Sequence, residues 1–330
     1  MNSVRWGIIG VGDVTEAKSG PGFQKAERSE LVAVMRRSAD KAADYAARHG
    51  VPKWYDDAHR LIGDPDVDAV YIATPPDSHH DYTLEVAAAG KPVYVEKPMA
   101  RTAAECEAMI AACKEAGVPL FVAYYRRAMP RFLKIKELLD SGAIGQPRAV
   151  VVRLQLAGSA ADIGEVPWRV RPEVAGGGYF VDMGSHTLDF LDWLLGPIIG
   201  VTGSAANQTG RYPAEDIVTG AFEFASGVQG VGLWCFSGAE EVDRVEIIGS
   251  AGSLRFTSFD GSPLHLTTAG GDKTIDAPYP ETVQQPLIQN VVDALTGRGR
   301  GLSTGESALR TAKVVDALLG DYRARQGITF

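Results

Sequence analysis

Three residues of this 330-residue chain could together move a proton on and off an alcohol. Lys97 follows the β-branched run Val93-Tyr94-Val95 and Glu96 and precedes Pro98, which places it just past the end of a strand. Asp182 and His186 stand four residues apart at the start of an expected helix, and that spacing puts both on one helix face. A fixed ammonium such as that of Lys97 stabilises negative charge developing on a carbonyl oxygen. An imidazole ordinarily titrates near neutrality, so His186 is the candidate proton donor. Asp182 either orients that ring or binds a substrate hydroxyl. No metal is needed, because the lysine takes the place of a Lewis acid. From spacing alone, Asp182 as a helix cap with a solvated His186 is the competing account.

Such chemistry needs a hydride carrier, and the start of the chain offers a place for one. Gly10-Val11-Gly12-Asp13-Val14-Thr15 follows a first strand, where a tight turn and close approach of backbone to a pyrophosphate exclude side chains. Gly10, Gly12, Asp13 and Val14 form the expected phosphate end, with Thr15 in place of the fingerprint's third glycine. Lys18-Ser19-Gly20-Pro21-Gly22 then holds three helix breakers, so the first helix either starts near Phe23 or is interrupted. A loop there either borders the pyrophosphate or has no ligand contact. The second strand, Leu31–Met35, runs into Arg36-Arg37-Ser38, with Lys41 one turn on. A carboxylate at this point would bind both ribose hydroxyls of NAD. Guanidiniums instead suit a 2′-phosphate, so the cofactor expected is NADP rather than NAD.

The elements that position these residues fall into two rhythms. Up to about residue 120, short apolar runs alternate with helical stretches, as in parallel β-α-β units. Thr102 to Glu105 reads as a capping box, and Gly90 and Gly117 as helix C-caps. Beyond a helix starting at Pro130, strand-like runs with short Gly- and Ser-containing connections indicate an antiparallel sheet, accompanied by helices over 181–195, 283–295 and 306–323. We therefore expect a dinucleotide-binding domain over 1–125 and an α+β domain with a large, open-faced, mainly antiparallel sheet over 126–330. The last helices are expected to pack back on the first domain. An open sheet would leave one face bare, with Trp234 and Phe236 or their strand neighbours exposed, which points to a homodimer or a dimer of dimers.

Bulk composition narrows the class. A formal net charge of −8, with 45% hydrophobic and 22% charged residues, fits a soluble globular enzyme and argues against a nucleic-acid or membrane partner. Three cysteines without metal spacing read as free thiols in a reducing compartment, and with neither a signal core nor an apolar run of about 20 residues the expected location is cytoplasmic.

These pieces resemble the glucose–fructose oxidoreductase / inositol dehydrogenase / MocA family over nearly the whole chain. The carriers are the Gly-x-Gly turn, Ala73-Thr74-Pro75-Pro76-Asp77-Ser78-His79, Ala89-Gly90-Lys91-Pro92-Val93, Glu96-Lys97-Pro98, Trp168-Arg169 and the stretch from Gly176 to Asp189. The resemblance implies a Rossmann domain joined to an open-sheet domain, a nicotinamide cofactor, and a sugar, cyclitol or related polyol as substrate. It implies catalytic roles for Lys97, Asp182 and His186. It sets Thr74, Pro75 and His79 beside the nicotinamide half, adds Glu96 and Lys97 to the cofactor set, and gives Trp168 and Arg169 a cofactor contact. It also favours a cis Lys97–Pro98 bond. Tyr124-Tyr125-Arg126-Arg127-Ala128 departs from the family's usual Asn-Arg-Arg-Phe run, and Tyr125 and Arg126 are its candidate substrate contacts. The alternative to an enzyme is a sugar- or nucleotide-sensing protein on the same scaffold, which loss of the lysine or histidine would have favoured.

Overall fold

The computed structural model describes residues 2–158 and 166–330. The chain divides into two compact units, Met1–Met129 with Glu281–Leu309, and Pro130–Pro280 with Arg310–Phe330.

In the first unit the expected alternation forms in full: β1 (Val4–Ile9), α1 (Asp13–Ala17), α2 (Gly20–Lys25), β2 (Ser29–Met35), α3 (Ala39–His49), β3 (Lys53–Tyr55), α4 (Ala58–Ile62), β4 (Ala69–Ile72), α5 (His79–Ala88), β5 (Val93–Val95), α6 (Ala103–Glu115) and β6 (Leu120–Val122). The six strands pair in parallel in the order β3-β2-β1-β4-β5-β6. Every residue of β4, β5 and β6 is buried, which is why those strands read as unbroken apolar runs rather than alternating ones. Strand order reverses between β1 and β4, and in such sheets a ligand crevice opens beyond the carboxyl ends of the strands at that point. The Thr102 hydroxyl accepts from the Glu105 amide at 3.1 Å and caps α6. Gly90 and Gly117 take the left-handed conformation that ends α5 and α6.

The second unit holds α7 (Pro130–Asp140), β7 (Pro147–Ala157), α8 (Pro172–Ala175), a π-helical turn (Phe180–Gly184) running into α9 (Ser185–Leu195), and the strands β8 (Ile198–Ala206), β9 (Ile217–Phe224), β10 (Gln229–Gly238), β11 (Val242–Gly249), β12 (Gly252–Phe256), β13 (Leu264–Thr268) and β14 (Gly271–Ile275). They form one sheet, β14-β13-β12-β11-β7-β10-β9-β8, antiparallel except for the central β7–β10 pair, which is parallel. Alternation sorts its faces. Val150, Val152, Leu154, Phe222, Val245 and Ile247 are buried, while Val151, Val231 and Ile248 face out.

Of the two sets left open on β10, Trp234 and Phe236 are the inward one, and the outward face falls to strand neighbours such as Val231. Both aromatic residues are buried, and Phe180 meets the Trp234 ring edge-on at 5.1 Å. The residue alternation on β10 was legible; which set faces inward depends on partners from elsewhere, Phe180 of the π turn among them.

Two helices complete the units. α10 (Gln285–Leu295) belongs to the first, and α11 (Gly305–Gln326) carries the chain from the first unit's last residues into the second. Among the described residues no helix is long and apolar enough to cross a membrane.

Candidate active site

The phosphate end is built by the β1–α1 turn. Gly10 has φ +95, and a Cβ there would lie 2.7 Å from Thr74 Cγ2 and 2.9 Å from the Thr74 amide, so only glycine lets the ends of β1 and β4 close together. Gly12 differs: it is half-buried, yet a Cβ there would meet nothing within 4 Å, so the side where a side chain would stand is open space. A pyrophosphate fits this arrangement, because a close-packed turn presents an unobstructed glycine and the first-turn amides of Asp13 and Val14.

Thr15 shows what replaces the third glycine. Its hydroxyl accepts from the Gly12 amide at 2.9 Å and donates to the Gly12 carbonyl at 2.8 Å, locking the turn by side chain. The first helix is interrupted rather than late. The Tyr45 hydroxyl of α3 donates to the Thr15 carbonyl at 3.0 Å, and Gly20 passes so close that a Cβ would sit 2.1 Å from that carbonyl oxygen. Gly22 in turn lets α10 approach, since its Cβ would meet Ile288 at 2.6 Å.

At the end of β2, Arg36 is half-buried and donates its amide to the Tyr55 carbonyl at 3.1 Å. Arg37, Ser38 and Lys41 are exposed, with Ser38 preceding α3 and Lys41 in its first turn.

The lysine end is braced by buried groups. Glu96, 6% exposed, accepts from the Tyr71 hydroxyl and, at 2.7 Å, from Gln284 Nε2; its other oxygen accepts from the Lys97 amide at 3.1 Å. The Lys97–Pro98 peptide is cis, as expected. His79 is fully buried, with Nε2 2.7 Å from the Thr74 carbonyl and Nδ1 3.0 Å from the Pro98 carbonyl, so it bridges the Thr74-Pro75 turn and the Lys97-Pro98 turn. Burial lowers its pKa, against the two carbonyls and Glu96, which raise it. Gln284 had no sequence signal: it lies 188 positions from its partner. Tyr125 and Arg126 are both buried, with the guanidinium 5.1 Å from the ring centroid.

In the second unit Asp182 lies within the π turn and His186, 4% exposed, in the first turn of α9. Single π turns are rare and are frequently found at functional sites. Arg169 stacks over Trp168 at 4.5 Å and reaches Asp182 at 3.5 Å, a pairing that the spacing of the sequence did not reveal. The Phe259 ring stands edge-on to His186 at 6.3 Å.

No group of three or more His, Cys, Asp or Glu among the described residues could hold a metal ion. Cys106 and Cys113 are buried free thiols, and burial pushes the Cys113 thiol up to about 11, far from a reactive thiolate.

A parallel nucleotide-binding sheet with a glycine turn at its switch point and a braced lysine on a neighbouring strand end defines a dinucleotide-dependent oxidoreductase. Residues 4–124 match the family described as "Oxidoreductase family, NAD-binding Rossmann fold", and residues 132–255 match the GFO/IDH/MocA C-terminal domain. The chain is 39% identical over 319 residues to "Oxidoreductase P35" of Formosa agariphila, covering 96% of this chain and 98% of the other. It is 30% identical to the 1,5-anhydro-D-fructose reductase of Ensifer adhaerens, covering 92% of each. The aldose-aldose oxidoreductase of Caulobacter crescentus, solved with glycerol, superposes with a TM-score of 0.86 at 29% identity over 98% of each chain. The chain belongs to the Gfo/Idh/MocA family of oxidoreductases.

Proposed function

We propose that this protein transfers a hydride between a nicotinamide and a carbonyl or alcohol carbon of a sugar, cyclitol or related polyol, with NADP(H) as the preferred carrier. The observation that carries the reading is the brace on Lys97: a buried carboxylate with two donors of its own holds the lysine's amide at a strand end of the nucleotide-binding sheet. The relatives' names support the sugar class, the anhydrofructose reductase and the glycerol-bound aldose oxidoreductase above all.

The bound nicotinamide supplies or takes the hydride. In the reductive direction the Lys97 ammonium stabilises charge on the carbonyl oxygen, and His186 delivers the proton that makes the alcohol. Asp182 orients that imidazole or holds a substrate hydroxyl, with Arg169 beside it. Gly10, Gly12, Asp13 and Val14 take the pyrophosphate. Arg36, Arg37, Ser38 and Lys41 take the 2′-phosphate. Thr74, Pro75, His79 and Glu96 line or support the nicotinamide side, Trp168 and Arg169 add contacts, and Tyr125 and Arg126 serve the substrate. Outward-facing Val151, Val231, Ile248 and Ile199 support assembly as a dimer or dimer of dimers. Free thiols support a reducing, cytoplasmic setting.

A panel of sugars and polyols, followed by nicotinamide absorbance with both cofactors, tests the reading. Lys97→Ala and His186→Ala each lower kcat by about 10² or more while cofactor affinity stays nearly intact. Cofactor and sugar binding without turnover across the panel would return the protein to the sensing alternative. Full turnover in His186→Ala would move the proton to Lys97, Tyr125 or water.

A further inference from the structure

The glycines ahead of the π turn wrap a carboxyl that the reaction does not use. Glu215, 1% exposed and just before β9, accepts the Gly178 amide on Oε1 at 2.8 Å. A Cβ on Gly177 would stand 3.2 Å from both carboxylate oxygens, and one on Gly178 would stand 2.7 Å from the Glu215 carbonyl and 2.9 Å from Ala214 Cβ. Side chains at either position would hold the loop off the carboxyl. On the neighbouring peptide, Arg323 of α11 donates to the Gly176 carbonyl at 2.6 Å. The Gly178 carbonyl then accepts from the amides of Val181 at 3.0 Å and Asp182 at 3.3 Å, the bonds that lead the chain into the π turn. One residue therefore joins the two: the Gly178 amide holds the buried carboxyl, the Gly178 carbonyl holds the backbone of Asp182, and His186 follows one turn later.

We propose that Glu215 is a positioning residue for the Asp182–His186 segment, acting through Gly178; this rests on the reading of Asp182 and His186 as the substrate-end chemistry.

The electrostatics of the pocket give the positioning a signature. Burial pushes the Glu215 carboxyl up to about 7, against the Gly178 amide and Arg323, which favour its charged form, while Asp216 next in the chain pushes it further up. Tyr322 on α11 also faces it, its phenol raised by burial first and by Glu215 second. An ionised carboxylate accepts a stronger hydrogen bond than a neutral carboxyl, so ionisation tightens the hold on Gly178. The same ionisation puts a charge in a dry interior, which weakens the fold. A folded-state pKa raised above the unfolded value contributes stability that is full below the ordinary carboxyl range and lost as pH rises through about 7. Local grip and global stability thus move in opposite directions with pH, whereas a residue serving packing alone would move both together.

Amide hydrogen exchange on the full-length protein, expressed as protection factors from about pH 6 to about pH 8, reads this directly. Protection of Gly178 and Asp182 rises about tenfold with pH in the wild type and is flat in Glu215→Gln. At the upper pH the Gln variant melts no lower than wild type, binds cofactor equally, and has kcat about tenfold lower. Wild-type protection at these two amides that does not change with pH overturns the proposal, and it does so even if the variant fails to fold. Loss of protection spread over the whole second unit in Glu215→Gln, with a lowered Tm, also overturns it. Protection that follows pH as expected while kcat stays at the wild-type level supports the Gly178 link and removes Asp182 and His186 from the chemistry instead.

Discussion

Two guanidiniums at the end of β2 frame the choice of carrier. Arg36 is half-buried with its backbone anchored to β3, and Arg37 is open to solvent. Removing a charge-assisted phosphate pair costs about 1.5–3 kcal/mol. Arg36→Ala with Arg37→Ala therefore weakens NADP(H) binding by about 10- to 100-fold and leaves NAD(H) binding nearly unchanged. Titration of both cofactors checks this, and equal losses for the two would contradict it. At this scale the sequence points to a role where a residue type has few uses: Lys97 before Pro98, His186 four places after Asp182, arginines where a carboxylate would otherwise stand; the substitutions proposed above test those roles. It was opaque where a role depends on a distant partner. His79 reads as a ligand-facing histidine, yet it lies fully buried between two backbone carbonyls. Glu96 reads as part of a cofactor motif, yet its oxygens hold Tyr71, Gln284 and the Lys97 amide.

The broken first helix shows how one element can carry glycines of two kinds. Gly20 is glycine because the Thr15 carbonyl and Tyr45 hydroxyl crowd it, whereas Gly12 has open space where its side chain would be. Gly20→Ala forces backbone apart and lowers stability by about 1–3 kcal/mol, seen as a fall in Tm. Gly12→Ala keeps an ordinary extended φ of −170, so Tm holds while cofactor affinity drops at least tenfold, about 1.4 kcal/mol. A Gly12→Ala protein that binds the cofactor as wild type does would mean that the turn does not receive the pyrophosphate. The breakers at 18–22 announced an irregularity but not its form, because what decides it is a bond from α3 and the close approach of α10. The π turn was likewise invisible: Val181–Leu195 has an ordinary helical pattern, and nothing in it marks the Ser185 amide as reaching back five residues to the Phe180 carbonyl.

For the whole molecule, the alternation along β7 and β10 sets Val151 opposite Val231 on the outward face of the second sheet, with Ile248 on β11 beside them. Lys substitutions at Val151 and Val231 leave the inward core untouched, so Tm stays within a few degrees while sedimentation shifts toward a monomer. A wild type already monomeric at micromolar concentration would end the assembly proposal. The alternation of this sheet was legible, but the parallel β7–β10 pair was not, since strands so far apart in sequence carry no turn signal between them. The division of the chain also has a consequence in time. Because Glu281–Leu309 completes the first unit, a ribosome must translate most of the message before Gln284 can reach Glu96 or Ile288 can cover Gly22. The six parallel strands thus emerge long before their last packing partner, and the nascent chain must wait, exposed or chaperoned, for its own tail. A fragment ending at residue 280 is accordingly expected to be cleaved within β1–β6 by a protease dose that the full chain resists, and equal resistance would show that those strands close without waiting.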